Sequence, residues 1–206
     1  MPLQRILITN DDGLDSPGLT TLAEELLRTG RYDPLLVLRR KMVPLPAAMQ
    51  AQIAATGLRT AWVDRGWKWK TLRQLATIIA DFKPQVFVAH GNSEHLWGRQ
   101  AAFAAKVPVV LHVEMNCERY PFWRRWAAQR LAPQTSATVC VSQGVADHIR
   151  LLGLAGPRLE IIHNGVDARR YSAGAPPFAT RSQDIVMVAR FARQKDQPTL
   201  IRAARR

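Results

Sequence analysis

Two carboxylates, Asp11 and Asp12, stand side by side after the apolar run Ile6-Leu7-Ile8. Hard oxygen ligands at the end of a strand suit a divalent cation, although a pair alone is fewer ligands than such a site needs. The stretch they belong to, Asn10 to Gly18, carries Gly13 and Gly18 and opens a helix. Backbone N–H groups at a helix start attract an anion, but Asp11, Asp12 and Asp15 would repel one unless a cation intervened. His112 lies near the end of a long apolar run, with Glu114 two residues on. A lone histidine there serves either the structure or the chemistry of the strand end. Two further stretches interleave bases with aromatics: Trp67-Lys68-Trp69-Lys70, and Arg119-Tyr120-Pro121-Phe122-Trp123-Arg124-Arg125-Trp126 with Arg130. Such mixtures suit an anionic membrane surface, single-stranded nucleic acid, or an amphipathic helix whose Trp faces pack on a sheet. No RNA- or DNA-binding signature accompanies them, so no nucleic acid partner is expected.

The chain that must position these groups has 206 residues, with 29 Lys+Arg against 16 Asp+Glu and a formal charge of +13. That excess points to nucleic acid, an anionic membrane or phosphate-bearing small molecules, with the compositional bias of a GC-rich genome as a plainer source. Hydrophobic residues make up 47%, which excludes wholesale disorder. No apolar run of about 18 residues occurs, so no membrane-spanning helix is expected. Met1 to Asp12 turns acidic after one short apolar run and does not read as a signal peptide. The two cysteines, Cys117 and Cys140, make neither a disulfide framework nor a metal quartet, which fits a reducing compartment.

Hydrophobic periodicity alternates between short strands and helices. Ile6–Ile8 predicts a strand. Leu19, Leu22, Ala23, Leu26 and Leu27 predict a helix, with Ser16 as its cap, Pro17 at its first position and Gly30 as its stop. Leu35–Leu38 and Thr60–Val63 are strands, and a helix from Ala47 is placed between them. Leu72 to Phe82 is a helix ending before Pro84. Val86–Val88, Val107–Val113, Thr138–Val141 and Leu159–Ile162 are strands. Trp97–Ala105, Trp123–Leu131 and a helix capped by Ser142 fall between them. Repeated β-α units of this kind predict an α/β fold: a Rossmann-like parallel sheet with helices on both faces. Ligands in such sheets meet the carboxyl ends of the strands. Ser172–Ser182, with Gly174, Pro176 and Pro177, reads as a linker. A strand at Ile185–Val188 and a helix at Pro198–Ala204 follow it. The expected organisation is a domain over 1–171, a linker over 172–183, and over 184–206 a truncated β-α start of a second domain.

The order of several motifs adds to this reading. Leu159-Glu160-Ile161-Ile162-His163-Asn164-Gly165-Val166-Asp167 precedes the linker, and Val188-Ala189-Arg190-Phe191-Ala192-Arg193-Gln194-Lys195 follows it, with Leu200-Ile201-Arg202-Ala203 beyond. His90-Gly91, Ser93 to Arg99, and Ser142-Gln143-Gly144-Val145 each come after a strand. Together, over roughly residues 58–206, this resembles the retaining glycosyltransferases of family 4, which have the two-Rossmann GT-B fold. The resemblance implies the N-terminal half of a GT-B fold and transfer of a sugar from a nucleotide-sugar donor to a saccharide or lipid-linked acceptor. It implies that Arg190 and Lys195 hold the donor diphosphate, because two fixed cations stabilise a charged leaving group without a metal. It places His112 near the transferred sugar, Glu114 with Gly13 and Gly18 toward the acceptor, and Asn164 and Gly165 in a hinge turn where glycine tolerates positive φ. No cofactor is expected on this reading. The protein is expected in the cytoplasm, with a peripheral place at the inner face of the membrane as the reading of its basic aromatic segments. A chain ending inside the second domain is expected to be inactive by itself.

Residues 4–38, with Ile6-Leu7-Ile8-Thr9-Asn10-Asp11-Asp12-Gly13 and Ser16-Pro17-Gly18, resemble instead the start of the SurE family of metal-dependent nucleotidases. That resemblance implies Asp11 and Asp12 as ligands of Mg or Mn and hydrolysis of a phosphomonoester. The family's further serine has no counterpart in Leu38-Arg39-Arg40-Lys41-Met42-Val43-Pro44. A non-catalytic domain that docks on anionic membrane is the third reading.

Overall fold

Ile6, Leu7 and Ile8 are all buried in the computed structural model of the chain, Leu7 in one apolar cluster and Ile6 and Ile8 in another. A strand buried on both sides is what the centre of a parallel sheet requires. The structure describes residues 3–10, 17–40, 47, 51, 54–55, 57–64, 67–90, 96–165, 168–169, 177–180, 184–189, 191 and 195–205. The chain divides into two units, residues 1–164 and 165–206.

In the first unit β1 (Gln4–Asn10) is followed by α1 (Pro17–Arg28), β2 (Tyr32–Arg40) and β3 (Arg59–Asp64). Then come α2 (Lys68–Phe82), β4 (Val86–His90), α3 (Trp97–Ala104) and β5 (Val109–Glu114). The unit ends with α4 (Phe122–Leu131), β6 (Ala137–Cys140), α5 (Gln143–Leu152) and β7 (Leu159–Ile161). Between β2 and β3 the described residues 47, 51, 54 and 55 are helical. The strands form one seven-stranded sheet in the order β3-β2-β1-β4-β5-β6-β7, with every pairing parallel. This is the Rossmann-like sheet expected for the first half of a GT-B fold. Strand order reverses at β1, whose neighbours are β2 and β4.

Helices cover both faces. Ala23 of α1 packs with Ile6, Ile8, Leu36, Leu38 and Val88. On the other face Leu75, Ile79 and Phe82 of α2 and Ala101 and Ala102 of α3 pack with Leu7, Phe87 and Val110. A third cluster joins Ala128 of α4 to Cys140 of β6 and to Val145, Ala146 and Ile149 of α5. Local signals end the helices where the sequence asks. Gly30 takes φ +64° after α1, and Lys83 takes φ 49° after α2, just before Pro84. Ser142 caps α5, its hydroxyl accepting from the Val145 N–H at 3.3 Å. At the start of α2 no side chain caps the helix. There Gln74 exchanges two hydrogen bonds with Asp64 at the end of β3, and Lys70 pairs with the same carboxylate at 3.0 Å.

In the second unit the described residues 168 and 169 are helical, and the further described elements are a 3-10 turn, Phe178–Thr180, and the helix α6 (Gln197–Ala203). The strand expected at Ile185–Val188 does not form. Residues 184–189 are irregular, and Ile185, Val186 and Val188 are exposed. A β-branched run becomes a strand only when a neighbour supplies the ladder, and no strand occurs among the described residues of this unit. Arg190, the Pro176 region and most of the expected linker lie outside the described residues.

Phe87, fully buried at the centre of β4, tests the core. Phe87→Ala is expected to cost about 3–5 kcal/mol. Phe122→Ala, at an exposed position, is expected to stay within about 0.5 kcal/mol. Urea titrations followed by far-ultraviolet circular dichroism measure both. Similar midpoints for the two variants would mean that Phe87 is not in the core.

Candidate functional site

The ladder register fixes which residues meet at the carboxyl edge of the sheet. Asn10, the last residue of β1, pairs with His90, the last of β4, and His90 pairs with Val113 of β5. Beside the strand-order reversal, then, β1 and β4 end level and β5 runs one residue further, to Glu114. The edge at such a reversal is where an α/β sheet leaves a crevice. Asp11, Asp12, Gly13 and the residues 91–95 lie outside the described residues, and Gly18 is described only as helical backbone. Among the described residues no group of three His, Cys, Asp or Glu side chains is arranged to hold a metal ion.

Beneath this edge is a buried polar cluster. Side chains alternate along β5, and Val110, His112 and Glu114 all turn inward. His112 and Glu114 are essentially without solvent contact, and the imidazole Nε2 lies 3.2 Å from the Glu114 carboxyl Oε2. The Tyr120 hydroxyl donates to the same Oε2 at 3.0 Å. Arg99, on α3, is fully buried and donates through Nη1 to the Thr135 hydroxyl at 3.0 Å. That hydroxyl donates in turn to the Leu131 carbonyl at 2.9 Å. His112 pairs in the sheet with Ala89 and Thr138. The Thr138 hydroxyl accepts from the Gly156 N–H at 3.0 Å. A Cβ at position 156 would lie 2.7 Å from the Thr135 carbonyl, so glycine is required there by close approach.

Burial controls the charges. Desolvation pushes the Glu114 carboxyl up to about 8; Glu118 adds to the rise, while Tyr120, Arg99 and Arg124 oppose it. Burial lowers Arg99 to about 10, against the pull of Tyr120 and Glu114. Burial also raises the Tyr120 hydroxyl and takes the Cys140 thiol to about 11. At neutral pH the cluster therefore holds a guanidinium and a protonated carboxyl. A protonated carboxyl can donate to an imidazole nitrogen while accepting from a phenol. Chemically this sets a carboxyl held above its ordinary value beside an imidazole just inside the strand end. In this conformation it is sealed from solvent.

The structure thus joins two of the expected site residues, His112 and Glu114, in one contact. Lys195 is exposed in the second unit. Asn164 closes the first unit and Gly165 opens the second, both exposed. Gly165 departs from expectation: its φ is not positive, and a Cβ there would meet open space. Neither conformation nor crowding demands glycine at that position here. Arg99, Tyr120 and Thr135 carried no assigned role in the sequence reading. Arg99 had a signal, since it shares a helix face with Ala102 and neighbours Gly98 and Ala101, all buried. A lone arginine among small buried residues must be satisfied internally.

The family described as Glycosyltransferase Family 4 matches residues 18–170. The match begins earlier than residue 58, taking in α1 and β2, and it ends before Arg190 and Lys195. The expected resemblance of residues 4–38 to the SurE nucleotidases is not shown by these matches, and residues 18–38 fall within the family 4 match instead. Solved structures share the fold at low identity. A glycosyltransferase from Rickettsia africae ESF-5 gives a TM-score of 0.66 at 14% identity, over 86% of this chain and 47% of that one. Anabaena HepE, in complex with UDP and glucose, gives 0.59 at 16%, over 82% and 46%. A UDP-GlcNAc 2-epimerase from Neisseria meningitidis, bound to UDP-GlcNAc, gives 0.56 at 14%, over 77% and 45%. The chain spans about half the length of these proteins. No curated protein matches it.

The raised Glu114 carboxyl makes stability depend on pH. Its ordinary value is 4.5 and its folded value about 8. Between these the folded chain keeps a proton that the unfolded chain has released. Stability is therefore expected to fall as pH rises through that window, by an amount on the order of a few kcal/mol, and to level off above it. Glu114→Gln is expected to flatten that slope. Urea midpoints for both proteins between pH 5 and pH 9 provide the check; parallel curves would show that Glu114 is not the group responsible.

Proposed function

The chain belongs to glycosyltransferase family 4, and from that membership we propose that it supplies the acceptor-side domain of a GT-B enzyme. In this reading the whole enzyme transfers a sugar from a nucleotide-sugar donor to a saccharide or lipid-linked acceptor, with retention of configuration. The family match over 18–170 carries the proposal, because the fold alone is shared with an epimerase. The carboxyl edge of the sheet beside the strand-order reversal supports it, as the place where such folds accept ligands.

The roles divide between the two units. Arg190 and Lys195 bind the donor diphosphate, offering fixed positive charge as the leaving group becomes more negative. His112 and Glu114 serve the sugar side. His112 and Glu114 are both buried below the edge, so together they act by positioning the end of β5 beneath the transferred sugar. Gly13 and Gly18 serve the acceptor, Gly18 from the first turn of α1, and Asn164 with Gly165 serves as the hinge where the two units meet in sequence. Because the chain spans about half the length of its structural relatives, residues 1–206 by themselves are proposed to be inactive. No metal or other cofactor is assigned to the transfer.

The test uses the natural protein that carries these residues, a panel of radiolabelled nucleotide-sugars, and nuclear magnetic resonance of the product's anomeric carbon. Lys195→Ala and Arg190→Ala are each expected to lower kcat about a hundredfold or more, by analogy with removal of a charge-stabilising donor. The product is expected to keep the donor's anomeric configuration. Unchanged turnover in both variants, or an inverted product, would sink the assignment. Sugar transfer by residues 1–206 alone would overturn the proposal of inactivity.

A further inference from the structure

The basic aromatic segments, left without a role by the sheet edge, come together on one surface of the first unit. Their indoles do not pack on the sheet. Trp67 and Trp69 at the start of α2 and Phe122 at the start of α4 are strongly exposed, at 86%, 76% and 86%. Trp123 and Trp126 are about half exposed. A lysine joins the three helices: the Lys68 ammonium lies 5.0 Å from the centre of the Trp97 ring on α3 and 4.5 Å from that of Trp123 on α4. Trp123, Trp126 and Arg130 fall at helical spacing on α4, and the Arg130 guanidinium covers Trp126 at 4.3 Å. Charge on these helices is one-sided. Alongside the buried Arg99, α2, α3 and α4 carry Lys68, Lys70, Arg73, Arg124, Arg125 and Arg130, against Asp81 as the one acid in their sequences.

Next to the aromatic cluster, α2 and α3 leave an apolar groove of about 490 Å³. Trp69, Leu72 and Ala76 line it from α2, and Ala101 and Ala104 from α3, with Arg73 also lining it. A groove this apolar, edged by indoles and bases, has the layering of a membrane interface: hydrocarbon, then indole, then phosphate.

We propose that this α2–α3–α4 face docks on an anionic lipid bilayer. Its exposed aromatics enter the headgroup layer, its bases meet lipid phosphates, and the groove receives part of an acyl chain. A second copy of the chain is a poor occupant, since a face with so large an excess of bases repels itself. Polynucleotide would match the charge, but it offers nothing to an apolar groove between two helices. None of the described helices is long and apolar enough to cross a membrane, so the contact is peripheral. The proposal does not depend on the sugar-transfer reading.

The experiment compares co-sedimentation of the chain with vesicles of pure phosphatidylcholine and with vesicles in which one lipid in three is phosphatidylglycerol. Each base near an anionic surface is worth about fivefold in partitioning, so anionic vesicles are expected to bind at least about tenfold more protein. Added salt is expected to weaken that binding. Acyl-brominated lipid is expected to quench the tryptophan emission. The triple variant Trp67→Ala/Trp69→Ala/Phe122→Ala removes strongly exposed rings and is first checked for native circular dichroism. It is expected to lose about tenfold in binding, and Arg73→Glu/Arg130→Glu a similar amount. Equal partitioning into the two vesicle types would overturn the proposal. So would undiminished binding by the triple variant, which would make net charge alone the cause. Binding to a single-stranded oligonucleotide without binding to vesicles would assign the face to nucleic acid instead.

Discussion

The pairing of β1 with β2 on one side and β4 on the other is the constraint from which the rest follows. Both partners are parallel, so each connection must cross over the sheet, and crossovers are right-handed. Strands laid to one side of β1 therefore carry their helices on one face, and strands laid to the other side carry theirs on the opposite face. That places α2 and α3 together over Leu7, Phe87 and Val110. It also sets the inward residues of β5 beneath α3, where Arg99 comes close enough to Glu114 to influence it.

A sheet covered in this way buries the side chains just inside its carboxyl edge, and the polar cluster shows how the chain deals with that. A fully ionised pair so deep would lose solvation on both partners. Here the two charges are treated differently. The guanidinium of Arg99 keeps its charge and leans on the Thr135 hydroxyl, which passes the polarity on to the Leu131 carbonyl. The Glu114 carboxyl keeps its proton and is steadied by Tyr120 and His112. Gly156 permits the chain after α5 to close against the Thr135 carbonyl while its N–H donates to the Thr138 hydroxyl.

Much of this was legible in the sequence. The strand at Ile6–Ile8, the helix starting at Pro17, the stop before Pro84 and the Ser142 cap depend on local rules, and the structure follows them. The strand expected at Ile185–Val188 depends on a neighbour that sequence periodicity does not reveal, and it is absent. Inward alternation along β5 was visible as an apolar run, but the run concealed that His112 and Glu114 share a side. The contacts of Tyr120 with Glu114 and of Arg99 with Thr135 join residues far apart along the chain or outside any repeating pattern. For the segment that holds Tyr120 the sequence left surface and core both open, and the structure turns its hydroxyl inward to Glu114. For Trp67 and Trp123 composition allowed burial or exposure, and only the packing of α2 and α4 decides for exposure.

The Lys68 contact has a geometric meaning beyond its energy. In a β-α unit the helix begins where the strand has just ended. Trp67, Trp97 and Trp123 open or precede the helices that follow β3, β4 and β5, so they stand at the height of the strand ends. One ammonium between two indoles ties those levels together. Whatever rests against this ring of side chains has its separation from the carboxyl edge set by the rigid sheet and not by the length of a loop.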